Sequence, residues 1–313
     1  MAAFHVTRQF LDPDEVASAI PAARLELAVL GPPSGAWSIS QLELEGEHRL
    51  LVARMASPFS GFGAIEEWAT HTVWPMSEDT AGWTVNGRPI HGDTLLQLGR
   101  GAEYAVIARQ PLQWAALVSP SHAGKPGAPA PAVFLTPSRD GEAMRRLREL
   151  TRVALRLARS NEPDAARIAL ASMLRTLDPL METGNDRPVE RTKPNLHTLV
   201  QLLRTRGPEA VHAGDLARMA GWNERALRRD FAWHFGISVG RYLRIRRLND
   251  VRRELANPEN KIQSVTQAAI KHGFYDLGRF AAAYRRTFGE NPSATLSRTR
   301  RAARLTRLRD PLH

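Results

Sequence analysis

Two stretches of the chain repeat one local pattern, and that repetition limits the fold of the C-terminal third more than any other feature. In DLARMAGWNERALRRDFAWHFG, residues 215–236, Leu216, Ala217 and Ala220 mark a short helix. Gly221 follows where a tight turn needs positive φ. Asn223 can cap a second helix, in which Ala226, Leu227, Asp230, Phe231 and Phe235 keep helical period. Small residues at Ala217 and Gly221 let the two helices cross closely, which is the helix-turn-helix pattern. The second helix then exposes Glu224, Arg225, Arg228 and Arg229. In VTQAAIKHGFYDLGRFAAAYRRTFG, residues 265–289, the pattern recurs with Ala268, Ala269, Gly273 and Phe274 at the turn and Asp276 as cap. Phe280, Tyr284 and Phe288 form the buried stripe, with Arg279, Arg285 and Arg286 off it.

Between the two units, VGRYLRIRRLNDVRREL (residues 239–255) carries apolar positions Tyr242/Leu243, Leu248, Val251 and Leu255, which fit one long helix. Seventeen residues at about 1.5 Å each span about 25 Å. A rigid helix of that length would set two recognition helices about one DNA turn, near 34 Å, apart.

Residues 195–297 resemble the DNA-binding domain of the AraC/XylS family of bacterial transcription regulators. The resemblance is carried by Asp215-Leu216-Ala217, Ala220-Gly221, Leu227-Arg228-Arg229-x-Phe231, Phe235-Gly236 and Tyr242-Leu243-x-x-x-Arg247-Leu248. It continues through Ala268, Gly273-Phe274, Phe280, Tyr284-Arg285-Arg286-x-Phe288-Gly289 and Pro292. It implies that one monomer inserts two recognition helices into successive major grooves, with Glu224, Arg225, Arg228, Arg229, Leu277, Arg279, Arg285 and Arg286 as the DNA-binding residues. Two positions depart from the family's pattern. Val239 stands where Pro is common, and Gly278-Arg279-Phe280-Ala281-Ala282 replaces a Ser-x-Phe-x-Arg run. Ala282 has no side chain to reach a base, so Arg279 is the second helix's best candidate and the first helix carries more of the readout.

Charge divides the same way. Residues 1–140 hold 9 Lys+Arg against 14 Asp+Glu, and residues 141–313 hold 34 against 18. A mildly acidic part joined to a strongly basic one suggests a small-molecule side and a polyanion side, with nucleic acid ahead of an anionic membrane surface. Residues 1–140 read as short strands broken by Gly and Pro, with Asn86-Gly87 as the strongest hairpin signal. Residues 1–118 resemble, more weakly, the cupin-like sensor halves of the same family, and VNGRPIHGDTLLQLGRGAEY is similar to regulators of the ethanolamine-regulator type. Segment 119–138 reads as a loop at the barrel's edge. Residues 141–182 read as an amphipathic helical hairpin with Met144, Leu147, Leu150, Ala154 and Leu157 on one side and Arg145, Arg148, Arg152 and Arg156 on the other. Such a hairpin either caps the β domain or pairs subunits, and pairing is favoured because its second helix is apolar on more than one face.

The fold class expected is therefore α+β: a cupin-like β-barrel or sandwich sensing an effector (1–140), a helical hairpin for dimerisation (141–182), a linker (183–194), a DNA-binding domain with two helix-turn-helix units (195–297) and a frayed basic tail (298–313). The function expected is a sequence-specific regulator responsive to a small molecule. Its partners would be double-stranded DNA, a second copy of the chain and, if it activates, RNA polymerase. A non-specific architectural DNA binder and a cupin-type enzyme are the alternatives. Solvation of a helix face is the plain alternative for the arginines, and Arg229 could pair with Asp230 or Asp250. Trp37, Trp68, Trp74, Trp83 and Trp114 could line a ligand pocket or simply fill a core. His71, His91 and His122 are isolated, so no metal is expected, nor any cofactor. His234 and His272 read as structural residues at helix ends. The chain has no Cys, no GxSxG, no GxxxxGK[ST] and no HExxH, so no catalytic constellation is read. It also has no apolar run near the roughly 18 residues of a membrane span, and no secretory signal in MAAFHVTRQFLDPDEV, so a cytoplasmic location is expected.

Overall fold

The computed structural model describes residues 5–10, 13–43, 48–121, 133–137, 141–160, 162–182, 188–189, 212–259 and 264–309. The chain forms two compact units, one drawn mainly from residues 1–194 and one mainly from 195–313.

The first unit holds two antiparallel sheets. One has eight strands in the order β1 (His5–Phe10), β3 (Trp37–Glu43), β4 (Arg49–Met55), β11 (Leu112–Pro120), β6 (Ala69–Pro75), β9 (Thr94–Leu98), β12 (Val133–Pro137) and β13 (Pro188–Val189). The other has five, in the order β2 (Ala23–Val29), β5 (Phe59–Ile65), β10 (Glu103–Ala108), β7 (Trp83–Val85) and β8 (Arg88–Pro89). A short helix, α1 (Pro13–Ala19), lies between β1 and β2. The Asn86-Gly87 hairpin forms as expected. Both residues have positive φ (50° and 75°), as the favoured two-residue turn requires, and Val85 pairs with Arg88 across it. Asn86 is also buried, and its Oδ1 accepts from the Ala105 amide at 2.8 Å, fixing the turn against β10.

Strand β4 shows why the sheet alternates weakly in sequence. Leu50, Leu51, Val52 and Ala53 are all buried, so both faces of the strand are covered. One cover is the helical hairpin, α2 (Gly141–Arg159) and α3 (Pro163–Glu182). Met144, Leu147, Ala154, Ala169, Leu170, Met173, Leu177 and Leu180 form one cluster with Leu42, Leu50, Val52, Trp74, Leu95, Ala115 and Leu117 of the sheet. Burying each such Leu or Met contributes about 1.5–3 kcal/mol. Capping is thus what the hairpin's apolar side does, while Ile168 on α3 stays exposed.

Three expectations are modified. Arg148 does not lie on a solvated face. It is buried, donates from Nε to the Pro75 carbonyl at 3.0 Å and to the Gly92 carbonyl, and sits 3.6 Å from Glu78. Sheet-end carbonyls would otherwise lose their partners on burial, so the guanidinium replaces water there. Segment 119–138 is partly strand: Ser119 and Pro120 end β11, and 133–137 form β12 on the edge of β9; residues 122–132 lie outside the described residues. Within the expected linker, Pro188 and Val189 pair with β12, opposite Phe134 and Val133; residues 183–187 and 190–194 lie outside the described residues.

The described part of the second unit's C-terminal stretch is helical: α4 (Ala213–Met219), α5 (Glu224–Phe235), α6 (Val239–Ala256), α7 (Val265–Lys271), α8 (Leu277–Phe288) and α9 (Pro292–Arg309). Residues 195–211 lie outside the described residues. The tail is helical rather than frayed: α9 runs through residue 298 to Arg309, starting with Pro at its first position and rich in Ala, Leu and Arg. No described helix is long and apolar enough to cross a membrane.

Candidate nucleic-acid interface

The turn chemistry read from the sequence positions both recognition helices. Gly221 and Gly273 adopt φ of 67° and 74°. Asn223 accepts from the Arg225 amide at 2.8 Å and starts α5, and Asp276 accepts from the Arg279 amide at 2.9 Å and starts α8. Leu227, Phe231 and Phe235 on α5 and Phe280, Tyr284 and Phe288 on α8 are buried. Val239 is the first residue of α6 behind the Ser238 cap, a position whose amide needs no helical partner. Val therefore serves where the family has Pro.

Helix α6 holds both units. Tyr242, near its start, meets Phe231 and Phe235 at ring separations of 5.1 and 5.3 Å. From its middle onward, Arg247 lies 5.2 Å from the Phe274 ring and Arg252 lies 5.0 Å from the Phe288 ring. Burial, then the charge of Arg244, lowers the Arg247 pKa. Glu254 accepts from His272 at 2.6 Å and from the Lys271 ammonium. Sequence reasoning gave these anchors no role; their partners lie well along the chain, in the second helix-turn-helix unit. Past α8, the Tyr284 hydroxyl meets Thr295 Oγ1 at 2.9 Å, and burial pushes its pKa up to about 12. Arg298 pairs with Glu290 at 2.6 Å, so the first residue of the expected tail belongs to this packing.

The sequence-derived interface residues are exposed, with differing partners. On α5, Glu224 holds Arg228 through two contacts of 2.9 and 2.5 Å, and Arg229 pairs with Asp230 at 2.9 Å. Arg225 forms no ion pair among the described residues. On α8, Arg279 pairs with Asp276 at 3.2 Å, while Arg285 and Arg286 point away from the buried stripe. Leu277 begins the helix and is exposed. Two exposed aromatics were not read as surface groups: Trp233 on α5 and Tyr275 before α8. Trp233 lies outside the 227/231/235 stripe, which is the signal that could have found it. His234 is buried in the last turn of α5, and His272 caps α7.

In the first unit, Trp37, Trp74 and Trp83 are buried, Trp114 is half-buried and Trp68 is exposed. Trp83 lines a cleft of about 440 Å³ with Arg54, Met55, Pro75, Asp79 and Leu112. His71 is buried and burial lowers its pKa to about 4; His91 is exposed, and His122 lies outside the described residues.

Residues 216–298 match the family model described as a helix-turn-helix domain. The chain is 40% identical over 104 residues to XylDLEGF operon transcriptional activator 2 of Pseudomonas putida, covering 33% of this chain and 66% of that protein. It is 26% identical over 158 residues to the HTH-type transcriptional activator RhaS of Pectobacterium carotovorum, covering 48% and 53%. The alignments thus span between half and two thirds of these relatives. Among solved structures, the AraC-like transcriptional activator CuxR overlaps 78% of this chain and 94% of its own at 13% identity and a TM-score of 0.37. ToxT from Vibrio cholerae overlaps 88% and 98% at 11% identity and 0.31. Both overlaps are loose, and the architecture above stands on this chain's own pairings. The matched stretch encloses both capped turns and the helix between them: residues 216–298 are a DNA-binding helix-turn-helix domain of the AraC/XylS family of transcription regulators.

Proposed function

We propose that the chain is a sequence-specific transcription regulator in which one monomer reads two successive major grooves and the N-terminal unit responds to a small molecule. The observation that carries this reading is the anchoring of both helix-turn-helix units on α6. Aromatic stripes from the first unit pack at its start, and ring, cation and carboxylate contacts hold the second unit from its middle onward. Eighteen residues at about 1.5 Å give about 27 Å, close to one turn of DNA.

The effector's place is the cleft beside Trp83. It offers an apolar wall (Met55, Pro75, Leu112) together with the Arg54 guanidinium and the Asp79 carboxylate, which suits a small polar molecule with an apolar body. Its Pro75–Thr80 rim is tied to the hairpin: Arg148 and Arg152 of α2 donate to the carbonyls of Pro75 and Met76 at 3.0 and 2.9 Å. A ligand that moved this rim would move α2. Dimerisation, a cytoplasmic location and contact with RNA polymerase belong to the same reading and rest on the kinship with activators.

In vitro selection of random duplexes by the full chain at about 150 mM salt, where weak phosphate-only binding is screened, tests the reading. It expects two conserved blocks one helical turn apart. Salt-sensitive binding with no enriched block in the presence or absence of small-molecule extracts would make the protein an architectural binder.

A further inference from the structure

The two recognition helices align position for position. Each has twelve residues, begins after a side-chain cap (Asn223, Asp276) and ends at a left-handed glycine (Gly236, Gly289). Glu224 then matches Leu277, Arg225 matches Gly278, Arg228 matches Ala281 and Arg229 matches Ala282. In the last turns the chemistry reverses: Ala232 matches Arg285, and Trp233 matches Arg286. The part of a recognition helix that meets base edges is its N-terminal half. That half carries Glu224, Arg225, Arg228 and Arg229 on the outer face of α5, whereas on α8 the matching positions are Leu277, Gly278, Ala281 and Ala282, with Arg279 beside them held by Asp276 at 3.2 Å.

A second observation points the same way. Tyr275 stands just before the α8 cap, where an apolar residue commonly packs back on the fourth helical position, here Phe280. Tyr275 does not do so: it is 82% exposed, and Leu277 beside it is 39% exposed. Leu277 therefore faces outward one turn before Ala281, with the exposed Tyr275 ring just ahead of the helix, in a domain that binds DNA. The major groove presents one apolar group, the 5-methyl of thymine, and aliphatic side chains contact it directly.

We propose that α8 reads thymine methyl groups through Leu277, Ala281 and Ala282, with Tyr275 at their edge, while Arg285 and Arg286 hold the neighbouring phosphates. The absence of a polar side chain at Ala282 is then a change of readout rather than a loss of it. This inference rests on the two-groove reading. It adds that the two blocks differ in kind: guanine-bearing under α5, thymine-bearing under α8.

The test uses the full chain and the selected duplex. Each thymine of the α8 block is replaced by deoxyuridine, which keeps base pairing and removes only the methyl. Affinity should fall about fourfold for each contacted methyl, as expected for one buried carbon. Leu277→Ala should shrink that penalty at one base pair and leave the α5 block's preferences unchanged. Two conserved blocks with no response to deoxyuridine, or a second block conserved without thymine, would overturn this inference and leave the two-groove reading intact. A single conserved block would overturn both.

Discussion

His272 donates from Nε2 to the Glu254 carboxylate at 2.6 Å, and both side chains are buried. Glu254 belongs to the connecting helix α6 and His272 to the turn of the second helix-turn-helix unit, so this contact, with Lys271 on the other carboxylate oxygen, locks the second unit to the first. Removing one partner of a buried pair costs more than the pair contributes, because the other is left uncompensated. Glu254→Ala should cost about 3–5 kcal/mol in denaturant unfolding of the DNA-binding domain. Glu254→Gln, which keeps the hydrogen-bonding oxygen, should cost less. Equal and small effects of both would remove the contact's role in fixing the two units.

The arginines of α5 differ in readiness. Arg228 is held by Glu224 and Arg229 by Asp230, whereas Arg225 has no such pairing among the described residues. Arg228→Ala should weaken a selected site about tenfold, as expected for loss of a bidentate base contact, and weaken random DNA much less. Glu224→Ala should tighten binding to random DNA, since it removes a negative charge from the exposed face of α5 and frees Arg228. Electrophoretic titrations on both duplexes check this; equal losses on both for Arg228→Ala would make it a phosphate contact.

The first unit should lose stability in mild acid through His71. Burial lowers its pKa from 6.5 to about 4, so the unfolded chain takes up a proton below about 6.5 that the folded chain refuses until about 4. The stabilisation is complete above 6.5 and is lost as pH falls toward 4. A shift of that size corresponds to about 3 kcal/mol. His71→Phe should flatten the dependence between those values in thermal melts, and an unchanged slope would assign the acid lability elsewhere.

Leu147 is fully buried between α2 and the eight-stranded sheet. Leu147→Ala should cost about 2–5 kcal/mol and loosen the hairpin before the sheets. Hydrogen exchange would then show α2 and α3 amides losing protection ahead of those of β4 and β11.

What the sequence made legible was local. The two turns, their caps and the buried stripes of α5 and α8 depend on residues within one helical turn of each other, and Gly221, Asn223, Gly273 and Asp276 do what spacing requires. What it hid depends on distant partners. β4 alternates poorly because two layers cover it, Arg148 is buried because it answers carbonyls more than fifty residues away, and Pro188-Val189 becomes a strand only because β12 offers an edge. The anchors on α6 were hidden for the same reason: the resemblance marks Arg247, but nothing in VGRYLRIRRLNDVRREL says that it stacks on Phe274 while Arg244 is exposed.

The central claim is that α6 fixes the spacing of two groove-reading helices within one monomer. The most direct test inserts five base pairs, about half a helical turn, between the two blocks of a selected duplex. A rigid two-groove reader should lose most of the second block's contribution, so that affinity falls to that of a duplex with only one block, and a full-turn insertion should not restore it. Affinity unchanged by the half-turn insertion would contradict a fixed spacing and return the protein to a reader of one groove.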